Sequence, residues 1–345
     1  MKVLITGGAG FVGSHVAEFY AEKGEDVTVL DNFLRWETFK TNVKNPSFNW
    51  NYLRKFANIH LVRGDVRNAS DVTEAARDSD VIIHTAAQVA VTTSMENPKL
   101  DFEVNVLGTF NVLEAARLND SSVVFCSTNK VYGENVNKIP IKEQEKRYTF
   151  ADEKYEKGIS EDFPVDRTWH TPYGCSKLAA DLYVQDYAHG YGLKTGVFRM
   201  SCIYGERQFG VEDQGWVAWF TIATLLDKPI TIYGDGKQVR DVLYVKDLVE
   251  LFDMFIKSNL KHEVFNVGGG PKNTISLLEL LDLLYELTGR RAKVSFSEWR
   301  PADQKVYISD ITKAYEKLGW KPKTDLRAGV KKLIEWVSSH RHLFQ

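Results

Sequence analysis

Short apolar runs alternate with amphipathic stretches through the first part of this chain. Lys2–Thr6, Asp26–Asp31, Ile59–Asp65, Asp80–His84 and Ser122–Ser127 read as strands, and Val12–Lys23, Ser70–Asp78 and Asp101–Leu118 carry helical spacing between them. Buried strands alternating with helices predict a Rossmann-like, doubly wound parallel sheet of the α/β class. Such sheets bind ligands beyond the carboxyl ends of their strands. A long helix over Tyr173–Tyr191 and a strand at Lys194–Met200 follow. The pattern then becomes mixed, with helices at Asp247–Ser258, Ser276–Thr288 and Asp325–Ser339. This predicts a cofactor-binding domain over 1–180, rejoined near 194–204 and 237–268, and a smaller mixed α/β substrate lobe over 181–345.

Two segments break the alternation. Phe33–Asn58 is polar and aromatic without a clean period and reads as an insertion after the second strand. Glu134–Thr171 is rich in Lys, Glu and Asp, and reads either as a solvated loop or as a lid or substrate wall.

Composition excludes several classes. Of 345 residues, 43% are hydrophobic and 26% charged, and 44 basic against 46 acidic residues leave a formal net charge of -2. That is no footprint for a nucleic-acid binder, so an anionic ligand must be met by a few placed cations. The start of the chain runs straight from a strand into glycines, without the features of a signal peptide. No apolar run approaches the roughly 20 residues that span a bilayer. Cys126, Cys175 and Cys202 have neither disulfide nor metal-ligand spacing and read as buried small hydrophobes. The expectation is a soluble cytoplasmic protein with no metal and no membrane partner.

Gly7-Gly8-Ala9-Gly10-Phe11-Val12-Gly13 follows the first strand and opens a helix. Glycines at Gly7, Gly10 and Gly13 let the backbone turn tightly and approach a pyrophosphate at a helix N-terminus, with Phe11 and Val12 in the first turn. Asp31, with Asn32 beside it, ends the second strand, where a carboxylate accepts from the adenosine ribose hydroxyls and repels a 2′-phosphate. NAD is therefore favoured over NADP, although Arg35 lies nearby. Asp65-Val66, ending the third strand, is a candidate adenine contact.

Tyr173-Gly174-Cys175-Ser176-Lys177 places Tyr and Lys at i and i+4, on one helix face. A free phenol has a pKa near 10, too high for a base at neutral pH. A neighbouring ammonium and the positive nicotinamide of oxidised NAD would favour the phenolate. Tyr173 could then take a hydroxyl proton while hydride leaves the same carbon, and Lys177 could hold the nicotinamide ribose. Reversible hydride chemistry on an alcohol follows.

With Cys126-Ser127-Thr128-Asn129-Lys130-Val131-Tyr132-Gly133 at the end of the fifth strand, these motifs together resemble the extended short-chain dehydrogenase/reductases, along nearly the whole chain. Their S-[ST]-x-x-V-Y-G motif makes Thr128 the hydroxyl that assists the catalytic Tyr, with Ser127 as the adjacent alternative. The resemblance also implies that Ala86 and Ala87, in His84-Thr85-Ala86-Ala87, line the cofactor. Asn105, in Asn105-Val106-x-Gly108-Thr109, would support the active site. Arg240 and Arg300, in Gly236-x-Gln238-x-Arg240-Asp241 and Arg300-Pro301-x-Asp303, would contact a nucleotide diphosphate. A planar guanidinium suits that ligand because it binds two oxygens at once.

The 4,6-dehydratases of this family carry Asp-Glu directly after the catalytic Thr, and the decarboxylases a Glu in the second place. Here Asn129 and Lys130 stand there, which disfavours elimination and decarboxylation. The Ser127–Gly133 motif is similar to that of the CDP-paratose 2-epimerases, also called CDP-tyvelose epimerases. So are His170-x-Pro172-Tyr173, Tyr204-Gly205-x-Arg207-Gln208-Phe209 and Asp213-Gln214-Gly215-Trp216-Val217. That resemblance implies inversion at C2 of a CDP-linked sugar, with Asn129 and Arg207 added to the substrate set. NAD would be tightly bound and regenerated each cycle. A UDP- or CDP-hexose 4-epimerase with the same machinery is the alternative, although Cys202 stands where 4-epimerases often carry Asn. A catalytically silent NAD-binding protein is the reading from another class. Family members commonly dimerise through helices matching Asp101–Leu118 and Tyr173–Tyr191, which implies a homodimer.

Overall fold

Runs of β-branched and large apolar residues bury both faces of the first strands. Val3, Leu4 and Ile5 of β1 (Lys2–Thr6) and Val27, Val29 and Leu30 of β2 (Asp26–Asp31) are buried, whereas β3 (Ile59–Arg63) stays partly exposed at the sheet edge. Ile82 and Ile83 of β4 (Val81–His84) and Val123, Val124 and Phe125 of β5 (Ser122–Thr128) complete the buried centre. With β6 (Thr195–Met200) and β7 (His262–Val267), the sheet has seven strands in the order β7-β6-β5-β4-β1-β2-β3. Pairing is parallel from β3 through β2, β1 and β4 to β5. The order reverses beside β1, which opens the crevice where such sheets bind ligands.

The computed structural model describes residues 1–39 and 46–344. The chain divides into two compact units. The first comprises Met1–Val131, Thr171–Arg199 and Val249–Phe265. The second comprises Tyr132–His170, Met200–Leu248 and Asn266–Gln345.

In the first unit, the strands alternate with α1 (Phe11–Glu22), α2 (Ala69–Ala75), α3 (Pro98–Phe102), α4 (Gly108–Asn119) and α5 (Thr171–Tyr191). One face of the sheet packs Leu4, Ile82 and Phe125 against Val112, Leu113, Ala180 and Val184 of α4 and α5. Phe198 of β6 packs against Phe252, Phe255 and Phe265. The expected Asp101–Leu118 helix is divided: α3 passes into α4 through a π-helical turn, Glu103–Leu107. The Phe33–Asn58 insertion contains short helices at Leu34–Phe39 and Phe48–Leu53, and its residues 40–45 lie outside the described residues.

The second unit is built round the buried strand Val239–Tyr244. It pairs antiparallel with Thr274–Ser276 and parallel with Val306–Tyr307 and Cys202–Tyr204. Pro229–Tyr233 and Lys293–Ser297 form a separate parallel pair. Its core gathers Phe220, Ile222, Ile230, Leu280, Leu284, Val330 and Leu333. The Glu134–Thr171 excursion folds into this unit as far as His170, with a small hairpin of Ile141–Glu143 against Tyr148–Phe150. Among the described residues, no helix is long and apolar enough to cross a membrane. None of the three cysteines is in a disulfide; Cys126 is buried as expected, but Cys175 is exposed on α5 and Cys202 half-buried.

An ion pair lies inside the first unit. Arg199 of β6 donates from Nε and Nη2 to the two oxygens of Asp181 on α5, at 3.0 and 3.1 Å, and Ser127 Oγ of β5 donates to Asp181 Oδ2 at 2.6 Å. Asp181 is 0% and Arg199 5% exposed. Removing one partner of such a pair strands the other charge in a low dielectric. Asp181→Ala is therefore expected to destabilise the protein by about 3–5 kcal/mol, read as a lower urea midpoint; an unchanged midpoint would show that Arg199 is solvated without Asp181.

Candidate active site

The turn after β1 is shaped by close approach. Gly7 has φ +71°, and a Cβ there would lie 2.6 Å from the backbone nitrogen of Ala86. A Cβ on Gly13 would lie 2.4 Å from the Gly7 carbonyl and 2.7 Å from Cα of Gly8, so α1 can reach the turn only with glycine at this place. Gly10 caps α1 without a side-chain bond, and the first turn carries no acidic residue. Backbone N–H groups and the positive end of the helix dipole are thus presented to an anion.

Asp31 ends β2 and fastens this turn. Its Oδ2 accepts from the Ala9 amide at 2.9 Å and its Oδ1 from the Phe33 amide at 2.8 Å. Burial pushes its carboxyl up, against the pull of these backbone donors. Asn32 Nδ2 donates to Asp65 at 2.9 Å, and Arg67 grips the same carboxylate at 2.6 Å. Burial alone would raise the Asp65 carboxyl, but Arg67 and Asn32 hold it below its ordinary value. Val66 is buried, and its carbonyl accepts from Asn111. The cradle and the carboxylate beside it fit an adenosine dinucleotide.

Beside Ala86 the protein uses a neutral histidine as a brace. His84 Nδ1 lies 2.6 Å from Thr6 Oγ1 and Nε2 lies 3.0 Å from Thr109 Oγ1. Thr109 donates its own proton to the Asn105 carbonyl, so it accepts from Nε2–H, and Nδ1 accepts from Thr6. Burial, helped by the charge of Lys177, lowers the imidazole to about 3.

Thr128, Tyr173 and Lys177 meet at the end of β5 and the start of α5. They are 8%, 9% and 3% exposed. Lys177 Nζ sits 4.3 Å from the Phe125 ring centroid. The Lys130 amide donates to Thr128 Oγ1 at 3.3 Å, and Asn129 Oδ1 lies 3.4 Å from the same hydroxyl. Burial pushes the Tyr173 phenol up to about 12, opposed by its bond with Thr128 and reinforced by Asp101 and Cys126. Among the influences on that phenol, burial outweighs the rest. Burial also dominates Lys177, lowering it to about 8 while Cys126, Asp181 and Asp101 pull it back up. Ser127, the alternative hydroxyl, is instead bonded to Asp181.

Asn105 lies in the π turn with 0% exposure and donates to the Gln88 carbonyl and to Ser176 Oγ, which in turn donates to the Tyr173 carbonyl. Sequence reasoning did not single out Gln88, Asp101, Asp181 or Arg199. Only the i+4 spacing of Asp181 from Lys177 could have pointed to one of them.

The remaining sequence candidates belong to the second unit. Arg240 Nη2 donates to Asp303 at 2.7 Å, and Nη1 to the Val239 carbonyl. Arg300 donates to Asp213 at 2.9 Å and to the Glu212 carbonyl, and lies 4.1 Å from the Tyr233 ring centroid. Arg207 is buried with φ +60°.

Comparison with known proteins matches residues 4–333 to the family model described as GDP-mannose 4,6 dehydratase. A CDP-paratose 2-epimerase of Salmonella typhi is 43% identical, over 98% of this chain and 100% of its own length. A UDP-glucose 4-epimerase of Thermotoga maritima, solved with UDP-glucose, superimposes with TM-score 0.81 at 31% identity, covering 98% of this chain and 99% of that one. A UDP-glucuronic acid 4-epimerase of Bacillus cereus, solved with UDP-glucuronic acid and NAD, gives TM-score 0.82 at 26% identity with the same coverage.

His84 binds no proton in the folded chain above about pH 3, whereas an unfolded histidine does so below about 6.5. Folding stability from this group is therefore complete above pH 6.5 and is lost as pH falls below it, at about 1.4 kcal/mol per unit. An NMR titration should find the ring neutral at pH 5; a protonated ring there would contradict the bonding pattern.

Proposed function

The chain belongs to the GDP-mannose 4,6 dehydratase family, and from that premise we propose that it is an NAD-dependent epimerase inverting C2 of a CDP-activated deoxyhexose such as CDP-paratose. The observation that carries this reading is the full-length similarity to a CDP-paratose 2-epimerase. Asn129 and Lys130 support it, because neither can serve as the carboxyl acid or carboxylate base that water elimination would need.

In this reading the first unit holds NAD. Gly7, Gly10 and Gly13, with the amides of Phe11 and Val12, receive the pyrophosphate. Asp31 and Asn32 take the adenosine ribose, and Asp65 and Val66 the adenine. Ala86, Ala87, Asn105, Tyr173 and Lys177 serve the nicotinamide half. When bound, NAD supplies a reversible hydride acceptor and a fixed positive charge. Tyr173 accepts the proton of the C2 hydroxyl, and Thr128 bridges the sugar oxygen to the phenol. Lys177, as an ammonium, stabilises the phenolate that burial otherwise disfavours. With NAD as the hydride acceptor and donor, the second unit's arginines would keep the nucleotide anchored while the C2 keto-sugar turns, and Tyr173 would return the proton to the C2 oxygen.

The second unit is assigned to the sugar nucleotide. Arg207, Arg240 and Arg300 are assigned to the diphosphate and Asn129 to the sugar. Arg240 and Arg300 are already carboxylate-bound, so an incoming diphosphate takes the place of Asp303 and Asp213 and avoids the cost of desolvating bare cations. A 4-epimerase is the second reading, favoured by the superposition on UDP-sugar 4-epimerases. A homodimer is supported by large apolar side chains left exposed along the π turn, α4 and α5, among them Leu107, Leu118, Leu182 and Tyr191. Free thiols, one of them exposed, support a reducing cytoplasmic location.

CDP-paratose deuterated at C2 should show a kinetic isotope effect, and Tyr173→Phe should lose at least about a thousandfold in kcat while still binding NAD. An isotope effect confined to C4 would move the assignment to the second reading, and full activity of the Phe variant would remove Tyr173 as the base. Leu182→Glu should convert the dimer to monomer in sedimentation; an unchanged mass would place the interface elsewhere.

A further inference from the structure

One buried carboxyl next to the catalytic pair has no part in the proton transfer described above. Asp101, in α3, is 1% exposed. Its Oδ1 accepts from Gln88 Nε2 at 2.6 Å and from Asn105 Nδ2 at 3.2 Å, while its Oδ2 has no hydrogen-bond partner. Both donors are neutral amides, so the carboxyl is oriented without being neutralised. Asp181, the other acid near Lys177, is already matched by Arg199. In turn, Asn105 also donates to Ser176, which donates to the Tyr173 carbonyl. The bonded path Asp101, Asn105, Ser176, Tyr173 thus joins a charge to the first turn of α5.

We propose that Asp101 is a positioning residue that sets the charge balance of the Tyr173–Lys177 pair, acting as the unshared counter-charge of Lys177 through the Gln88–Asn105–Ser176 bonds. The proposal rests on the epimerase reading in one respect. Such an enzyme uses a single phenol first as base and then as acid, so its proton affinity must be balanced between the two half-reactions. A lysine ammonium and a cationic nicotinamide both pull that affinity down. Left unopposed, they would favour loss of the proton and slow its return. Asp101 opposes them from a fixed position.

The electrostatics of the site agree in sign. Asp101 pushes Tyr173 and Lys177 upward, while burial raises Asp101 itself against Ser176, Gln88 and then Lys177, which pull it down. The other groups facing this cluster are Thr128 and Cys126 from β5, Asp181 and Ser176 from α5, and neutral His84 from β4. Cys126 is pushed up to about 12 by burial and stays a thiol. Among these groups Asp101 is the negative charge that a single isosteric substitution removes without unmatching Arg199.

Asp101→Asn keeps an oxygen to accept from Gln88 and Asn105 but removes the charge, whereas Asp101→Ala removes both. In the NAD-loaded protein, NMR titration of tyrosine labelled at Cζ should place the Tyr173 phenol lower in Asp101→Asn by roughly half a unit or more. Both limbs of the kcat/KM profile should move to lower pH by a similar amount. Reduced cofactor should accumulate during turnover, because proton return is the step that is slowed. Asp101→Ala should add a loss of roughly tenfold or more in kcat at every pH. A superimposable phenol titration and pH profile in Asp101→Asn would overturn the proposal. If that variant fails to fold, carboxyl-carbon NMR of the wild type decides the question: Asp101 protonated from pH 6 to 9 overturns it, and ionised supports it. The phenol titration needs no sugar, so a shifted phenol with no C2 epimerisation would overturn the epimerase reading alone.

Discussion

A charge pair buried between two strands and one helix holds Thr128, Tyr173 and Lys177 in one place. Ser127 precedes Thr128 on β5, Asp181 lies one turn beyond Lys177 on α5, and Arg199 comes from β6. The contacts that join these three elements in the core therefore also fix where the Thr128 hydroxyl, the Tyr173 phenol and the Lys177 ammonium sit. Hydrophobic packing of Ala180 and Val184 on the sheet brings α5 close, but packing alone tolerates small slides and rotations. A bidentate guanidinium–carboxylate pair does not, because its geometry is directional as well as strong.

Burial shapes the chemistry of the same region. It drives the phenol, the ammonium and the imidazole toward their neutral forms, to about 12, 8 and 3 respectively. His84 remains neutral because burial, helped by the charge of Lys177, disfavours the imidazolium. Tyr173 and Lys177 are held where a single added charge has a large effect, since few dielectric dipoles screen it. The site of the free chain is therefore set against ionisation.

Much of this was legible in the sequence, for identifiable reasons. The strand boundaries of β1 and β2 follow from dense buried aliphatic runs that end in Gly and Asp. The glycine turn after β1 was legible because Gly7 and Gly13 are demanded by contacts under 3 Å from Ala86 and Gly8. Tyr173 and Lys177 were legible because helical spacing alone puts them together. The π turn was not, since it depends on how the helix meets its neighbours and leaves no compositional mark. Gln88, Asp101, Asp181 and Arg199 escaped because isolated polar residues look alike until the fold shows which are buried. The exposed Cys175 departs from expectation for a similar reason: apolar neighbours in sequence point to different faces of a helix.

The π turn at Glu103–Leu107 has a geometric consequence of its own. Residues spaced by four along a regular α-helix advance by about 40° per step, so Asp101, Asn105 and Thr109 would splay over about 80°. A wider turn in their midst takes up part of that advance. The three side chains are instead all buried, at 1%, 0% and 1%, and bond to Gln88, Ser176 and His84 in turn. The irregularity acts as a phase correction, by which three polar residues that a regular helix would splay all stay buried.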